Sequence, residues 1–253
     1  MDSSRQSGVL VLLGVLFTII LAGLDNTIVS TVMPVALPEL GSAHLYAWTF
    51  AAYMLAAAVS MPIWGPGSDR WGRRRTYLIG IVAFTVGSAL CAIARTMIEF
   101  IGARTIQGIG AGAVATLPFV LLGVVYPPNK RGRALGAASS AWAVASVAGP
   151  LLGTLIVTHV SWRWAFLINV PIAIVAGLLV IAGMRESTGH SVGRFDYAGA
   201  LLAGAGGSCL MWAFVDLGEG QIGLMQAALV APESFCLPRL CGTRDERRIL
   251  FCR

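Results

Sequence analysis

The chain has 253 residues, of which 57% are hydrophobic and only 12% are charged, and its mean hydropathy is +0.77. Soluble domains carry roughly 25% charged residues, so this composition excludes an ordinary soluble core with a solvated surface. The formal net charge of +6 does not indicate a nucleic-acid partner, because the basic residues form short clusters between long apolar runs. The remaining class is a multi-pass protein of the lipid bilayer.

Apolar runs of membrane-spanning length predict seven helices. They cover about residues 9–33, 46–66, 76–95, 100–125, 134–158, 164–184 and 197–217. Trp48, Trp162 and Trp164 fall near the predicted water interfaces, so we interpret them as membrane anchors. Basic residues gather in alternate loops, which predicts a cytoplasmic N-terminus by the positive-inside rule. Ten lie on the predicted cytoplasmic side and two on the other: Arg5, Arg70, Arg73, Arg74, Arg75, Lys130, Arg131, Arg133, Arg185 and Arg194, against Arg95 and Arg163.

Three stretches of different character predict three regions. Residues 1–184 would form a six-helix membrane bundle, and residues 185–219 a linker with the seventh helix. Residues 220–253 read as an aberrant or truncated tail. From Ala231 onward this tail holds five basic and three acidic residues, together with three of the five cysteines of the chain. It does not continue the membrane pattern.

Two ionisable residues fall inside predicted spans, where a charge is costly and marks a functional hypothesis. Asp25 lies about 16 residues into the first helix, or about 24 Å at the helical rise. Arg104 lies near the start of the fourth helix, which runs in the opposite direction, so both would sit at similar depth. Gln107, one turn after Arg104, adds an amide to the same face. The three predict either a proton- and cation-binding site or a structural ion pair that joins two helices.

The segment Gly65-Pro-Gly-Ser-Asp-Arg-Trp-Gly-Arg-Arg-Arg-Thr76 lies between the second and third predicted helices. Gly72 permits a tight reversal of the chain, and Asp69 can accept hydrogen bonds from arginines or from a neighbouring helix start. As a bare charge cluster the segment would only determine topology. The order of its residues is more specific and makes it a candidate gating loop, with candidate residues Gly65, Asp69, Arg70, Gly72, Arg73 and Arg74.

The fifth predicted helix contains Gly149-Pro150-Leu-Leu-Gly153. Pro150 removes a backbone hydrogen bond and can kink the helix. Ala141, Ala145, Gly149 and Gly153 recur every four residues and form a stripe that lets another helix approach closely. Such a stripe by itself indicates packing.

These motifs together resemble the major facilitator superfamily, in its fourteen-helix drug:proton antiporter branch. The Asp69-Arg-x-Gly-Arg-Arg74 loop resembles the signature between helices two and three, and Arg104-x-x-Gln-Gly108 resembles the fourth-helix motif. Gly149-Pro150-x-x-Gly153 resembles the fifth-helix antiporter motif. Leu24-Asp-Asn-Thr-Ile-Val29 and the segment from Trp162 to Pro171 resemble further motifs of the branch. The resemblance extends from about residue 10 to residue 217.

The resemblance implies an all-α integral membrane protein made of the N-terminal six-helix bundle of that fold and a seventh, linker helix. It implies proton-coupled export of amphipathic or cationic drugs across the plasma membrane, with protons and a small-molecule substrate as partners. Asp25 would take the proton and attract the cation, with Arg104 and Gln107 beside it. The Asp69–Arg73 loop would latch one arrangement of the halves, and the Gly149-Pro150 helix would shape their rocking. Neither enzyme activity nor any cofactor or metal is expected.

Two other interpretations also fit the sequence. The fold needs two six-helix halves, so the chain would lack the C-terminal half and could be a truncated fragment that does not transport. Seven spans would also fit a seven-helix receptor or retinal protein. A retinal Schiff base needs a membrane-embedded lysine, however, and the single lysine, Lys130, falls in a predicted loop.

Overall fold

A computed structural model describes residues 2–184 and Gly206, and for residues 2–7 it describes the backbone alone. Every element in this part of the chain is helical, and six of its helical segments are long and apolar enough to cross a membrane. The all-helical membrane fold predicted from the sequence is therefore confirmed, with six spans among these residues. The helix predicted at 197–217, except for the helical Gly206, and the tail at 220–253 lie outside the described residues. The helices are α1 (Asp2–Leu40), α2 (Tyr46–Trp71), α3 (Arg73–Ile93), α4 (Met97–Val125), α5 (Pro128–His159), α6 (Trp164–Leu167) and α7 (Asn169–Gly183).

The connections between the helices are shorter than the sequence predicts. Polar segments that the sequence predicts to be loops instead continue the helices. The predicted loop after residue 66 is wrong over most of its length: α2 continues to Trp71, and Gly72 alone separates it from α3. Gly72 has φ +96°, a backbone conformation that glycine adopts without strain. The predicted loop at 127–133 is also helical, since Pro128 occupies the first turn of α5, where its missing N–H costs nothing.

The sixth span, from Trp164 to Gly183, consists of two helices rather than one. The short α6 ends at Leu167, and α7 starts at Asn169. Pro171 lies three residues into α7, where it cannot donate to the preceding turn and its ring crowds the carbonyl there. This break places Asn169 at the first position of α7, inside the bundle.

Helix α4 forms the centre of one half of the bundle, with α2 on one side and α3 on the other. Glycines in α4 allow the backbones of α2 and α3 to approach it closely. A Cβ added to Gly108 or Gly112 would overlap atoms of α2, and one added to Gly110 would overlap the backbone of Phe84 in α3. Small residues at such crossings bring helix backbones into direct contact. The register of α4 between its two neighbours is thereby fixed.

Helix α1 packs against α5 and α7 and also touches α4. The small-residue stripe of α5 makes this possible, as the sequence predicts. Ala145, Gly149 and Gly153 are buried, and a Cβ on Gly149 would overlap the Thr27 hydroxyl of α1. Pro150, beside them, is exposed, and α5 runs through it without a break.

One end of the bundle, here called the Glu39 end, is joined by a cluster of aromatic and charged side chains. Trp162 is only 2% exposed and packs edge-on against Phe100 and Phe166. The interpretation of Trp162 as a surface anchor is therefore wrong, whereas Trp164 is 54% exposed. The carboxylate of Glu39 accepts hydrogen bonds from the Trp162 indole N–H at 3.0 Å and from the Arg163 guanidinium at 2.7 Å. This cluster ties the end of α1 to the α5–α6 turn.

Replacing Glu39 with glutamine is expected to lower the free energy of unfolding by less than about 1 kcal/mol. Both partners of the Glu39–Arg163 pair are more than one-third exposed, so water screens their attraction, and glutamine still accepts from Trp162. Thermal unfolding in detergent at low and high salt measures the difference, which should shrink as salt rises. A loss of more than about 1 kcal/mol that does not change with salt would show that the Glu39–Arg163 pair is more than a surface contact.

Candidate functional site

Asp25 lies near the middle of α1 and is 1% exposed, although it is a carboxylate within a membrane-spanning helix. Its Oδ2 lies 3.1 Å from Nη1 of Arg104, which is 2% exposed. Its Oδ1 accepts a hydrogen bond from Nε2 of Gln107 at 2.7 Å. The structure thus brings together all three residues that the sequence predicts for this site.

The guanidinium of Arg104 is fixed from several sides. Nη1 also donates to Oε1 of Gln107 at 2.8 Å, and Nε donates to the backbone carbonyl of Thr49 in α2 at 3.4 Å. The guanidinium carbon lies 3.9 Å from the ring centroid of Tyr53, a cation–π geometry. The start of α4 is itself set by Thr96, whose hydroxyl accepts from the N–H of Glu99. Arg104 therefore has little freedom to move away from Asp25 without breaking contacts to α2.

Asn169 and Ser88 complete the site, and sequence reasoning missed both. Nδ2 of Asn169 donates to Oδ1 of Asp25 at 2.9 Å and to Oγ of Ser88 at 2.9 Å. The Ser88 hydroxyl donates to the carbonyl of Phe166 at 2.9 Å. Asn169 and Ser88 are fully buried. An uncharged amide between Ile168 and Val170 was the available signal, since a buried polar side chain needs a partner.

Hydrogen bonds of this site connect α1, α2, α3, α4, α6 and α7 around one carboxylate. The charges of Asp25 and Arg104 balance, and three donors surround the carboxylate oxygens. Such an arrangement can hold an ionised carboxylate inside a bundle. Within residues 2–184, no three His, Cys, Asp or Glu side chains come together as a metal site.

The candidate gating loop lies far from Asp25. Asp69 follows Thr49 by 20 residues along α2, or about 30 Å. Oδ1 of Asp69 accepts from Nε and Nη2 of Arg73 at 3.2 and 2.9 Å, and both groups are partly exposed. Gly72, between them, is buried and holds the reversal. Of the other candidate residues, Gly65 lies within α2, Arg70 is exposed, and Arg74 is half-buried at the start of α3.

The fold and the site define an all-α, multi-pass membrane protein with a buried charge pair. A family model described as Major Facilitator Superfamily matches residues 15–203. The chain is 41% identical over 216 residues to Multidrug resistance protein 3 of Bacillus subtilis, covering 85% of this chain and 42% of that protein. It is 31% identical over 245 residues to the Multidrug transporter protein MdtP of Bacillus subtilis, covering 93% of this chain and 45% of that protein.

A crystal structure of the human organic anion transporter MFSD10 (TETRAN) has the same fold, with a TM-score of 0.65 at 19% identity. The match covers 83% of this chain and 55% of that one. The chain belongs to the Major Facilitator Superfamily, as its motifs indicate, and it spans less than half the length of the two Bacillus relatives.

Family membership confirms three expectations. Members of this fold are membrane transporters and not enzymes. The chain is a multi-pass membrane protein, and in a bacterial member that membrane is the plasma membrane. The seven-helix receptor interpretation is excluded because the chain belongs to a different family.

Proposed function

We propose that the six described membrane spans form one half of a proton-coupled exporter of amphipathic or cationic drugs. The carrying observation is the buried pair of Asp25 and Arg104, surrounded by donors from several helices. The names of the two Bacillus relatives, a multidrug resistance protein and a multidrug transporter, support the substrate class.

Proton binding and drug binding would be coupled because both compete for the Asp25 carboxylate. In its ionised form Asp25 attracts either Arg104 or a cationic drug. When Asp25 binds a proton, it attracts neither strongly, and the drug is released. Because Arg104 is held by Gln107, Thr49 and Tyr53, it stays beside the site as a fixed cation while proton and drug exchange. Binding of one then disfavours binding of the other, as antiport requires.

The gating loop and helix α5 have separate proposed roles. Asp69 and Arg73 hold the α2–α3 turn in one conformation and latch the two halves at that end. In α5, Gly149 and Gly153 give a smooth contact with α1, and Pro150 lacks the donor that would stiffen the helix. Together they would allow α5 to move as access alternates.

The orientation and the missing partner belong to the same proposal. The distribution of basic residues supports a cytoplasmic N-terminus and a cytoplasmic Gly72 turn, with the Glu39 end outside. Transport would need a second six-helix unit, joined through the linker at 185–219, because the cavity of this fold lies between two halves. The 42% share of the Bacillus relative that the chain covers supports this requirement. Residues 1–184 by themselves would not transport.

A chimera tests the proposed function. Residues 1–184 of this chain are joined to the part of Multidrug resistance protein 3 that follows the position matching residue 184. The chimera is expected to export ethidium from bacteria that lack their own pumps, and a protonophore should stop the export. The parent relative serves as positive control, and the 253-residue chain alone is expected to export nothing. A membrane-inserted, monodisperse chimera without export would contradict the proposal, and so would export by the chain alone.

Replacing Asp25 with asparagine in this chimera is expected to lower export by about tenfold, within the usual range of coupling between ligands. Asparagine can still accept from Gln107 and Asn169 but can neither take a proton nor attract a cation. The matched control is Asn129→Leu, because Asn129 is exposed in the first turn of α5, far along that helix from its contact with α1 at Gly149. Unchanged export by Asp25→Asn would leave Asp25 with a structural role alone.

A further inference from the structure

The side-chain carbonyl of Asn169 differs from the other polar groups of the site in its hydrogen bonding. Among the described residues, its Oδ1 is the one buried side-chain oxygen or nitrogen without a hydrogen-bond partner. The residue is fully buried, and its Nδ2 makes two hydrogen bonds. Buried polar atoms are nearly always paired, so an unpaired acceptor beside an ionisable group calls for an explanation.

The groups around Asp25 indicate which hydrogen-bond donor this acceptor could pair with. Every group that meets the carboxylate in the described arrangement donates to it: Arg104, Gln107 and Asn169. A protonated Asp25 would itself become a donor and would need an acceptor near Oδ1. Oε1 of Gln107 already accepts from Arg104 at 2.8 Å and from the Cys91 thiol at 3.6 Å. The free oxygen of Asn169 is the acceptor that remains.

The other titratable groups near Asp25 are engaged with other partners. Besides Arg104 on α4, those facing Asp25 are Tyr53 on α2, which hydrogen-bonds Asn26, and Cys91 on α3, which donates to Gln107. The buried faces that α5 and α6 present to α1 consist of alanine, glycine and phenylalanine. Asn169 is the buried polar residue of α7.

We propose that Asn169 is a positioning residue that reverses its side-chain amide when Asp25 binds a proton. With Asp25 ionised, Nδ2 donates to Oδ1 of Asp25. A proton from water then binds to Oδ1, and a half-turn of the amide exchanges Nδ2 for the carbonyl oxygen. The new O–H of Asp25 donates to that oxygen. The inference rests on the proposed role of Asp25 as the proton site, but it does not require transport.

The reversal has a second consequence at Ser88. In the described arrangement Ser88 accepts from Asn169 and donates to the carbonyl of Phe166. After reversal Asn169 presents an acceptor, so the Ser88 hydroxyl turns to donate to it and leaves the Phe166 carbonyl. Phe166 lies two residues before Ile168, where α6 gives way to α7. The charge of Asp25 is thereby communicated to the break in the sixth span.

The chain is well suited to a direct test by NMR, because its asparagines are at positions 26, 129 and 169 only. The full chain in lipid nanodiscs, labelled with ¹⁵N-asparagine, is titrated with acid. The side-chain amide signals of Asn169, assigned by their loss in Asn169→Leu, are expected to shift together with the Asp25 carboxyl signal. Asn129, exposed in the first turn of α5, is the internal control. Asn169 signals that stay constant while Asp25 titrates would overturn the inference.

The second measurement follows the Phe166 carbonyl. Phe166–Leu167 is the one Phe-Leu pair in the chain, so ¹³C-carbonyl phenylalanine and ¹⁵N-leucine together select this peptide bond. Its signal is expected to shift with pH in the wild type and in Asn129→Leu, and to stay constant in Asn169→Leu and in Ser88→Ala. If Asn169→Leu does not fold, Ser88→Ala alone decides, and a persistent shift there would overturn the relay.

Failure of the inference and failure of the proposed function give different results. Neither titration requires a second transporter half or a substrate. An amide that reverses in a protein whose chimera exports nothing supports the inference and contradicts the proposed function. A chimera that exports while Asn169 stays static supports the proposed function and contradicts the inference. An Asp25 that binds no proton at any accessible pH overturns both.

Discussion

Replacing Arg104 with leucine is expected to lower the free energy of unfolding by about 3–5 kcal/mol, the cost of leaving one partner of a buried ion pair alone. Leucine fills part of the volume but supplies no charge, so the Asp25 carboxylate would keep only its amide donors, Gln107 and Asn169. The loss also leaves Oε1 of Gln107 and the carbonyl of Thr49 without this donor. Thermal or denaturant unfolding of the full chain in detergent measures the change.

The exposed ion pair between Asp69 and Arg73 supplies the matched control. Arg73→Leu also removes an arginine from a carboxylate, but water surrounds that pair, so we expect a loss of about 0.5 kcal/mol or less. The double variant Asp25→Leu/Arg104→Leu should recover much of the stability lost in Arg104→Leu, because no charge is then left buried. Equal losses for Arg104→Leu and Arg73→Leu, or strictly additive losses in the double variant, would refute this account of the pair.

Replacing Gly110 with alanine is expected to lower the free energy of unfolding by about 1–3 kcal/mol, as overpacking of a close contact does. The added Cβ would overlap the backbone nitrogen and Cα of Phe84, and backbone atoms cannot turn aside as a side chain can. Helices α3 and α4 would have to separate at a point one turn from Gln107. The measurement is again unfolding of the full chain in detergent.

The same helix provides the control for this variant. A Cβ on Gly102 has no atom within 4 Å, so Gly102→Ala keeps the packing and adds only helix propensity, worth about 0.5–1 kcal/mol in stabilisation. The two alanine substitutions are therefore expected to change stability in opposite directions. A similar change for both would mean that helix propensity, and not the α3–α4 contact, governs these positions.

The six spans within residues 2–184 follow from the sequence, but the helix ends do not. Apolar runs mark the middle of each span because the bilayer core demands them. The polar stretches between them carry no such signal. Ser68 to Trp71 continues α2, and Lys130 to Arg133 continues α5, since helices extend into the headgroup region wherever no glycine or proline ends them. Gly41 after α1, Gly72 after α2, Thr96 before α4 and Pro128 in the first turn of α5 are signals of helix ends that the sequence does contain.

The site is predictable where it is charged and less so where it is neutral. Asp25 and Arg104 are conspicuous because a charge in an apolar run is costly, and their depth in oppositely directed helices suggests that they meet. Asn169 and Ser88 resemble the many small polar residues that membrane helices carry for packing. The Thr49 carbonyl cannot be inferred at all, because every residue has one. Tertiary packing of α2, α3 and α7 decides which of these groups reach the carboxylate.

The spread of the site along the chain has a consequence for biosynthesis. Asp25 is made first, Arg104 follows 79 residues later, and Asn169 follows 144 residues after Asp25. The first span must therefore enter the bilayer with a carboxylate whose partners do not yet exist, a cost of about 2.5–3.5 kcal/mol on insertion scales. Its long apolar sequence can offset this cost. The ribosome has completed five spans before the last donor to Asp25 enters the membrane, so the carboxylate acquires its final surroundings only when the sixth arrives.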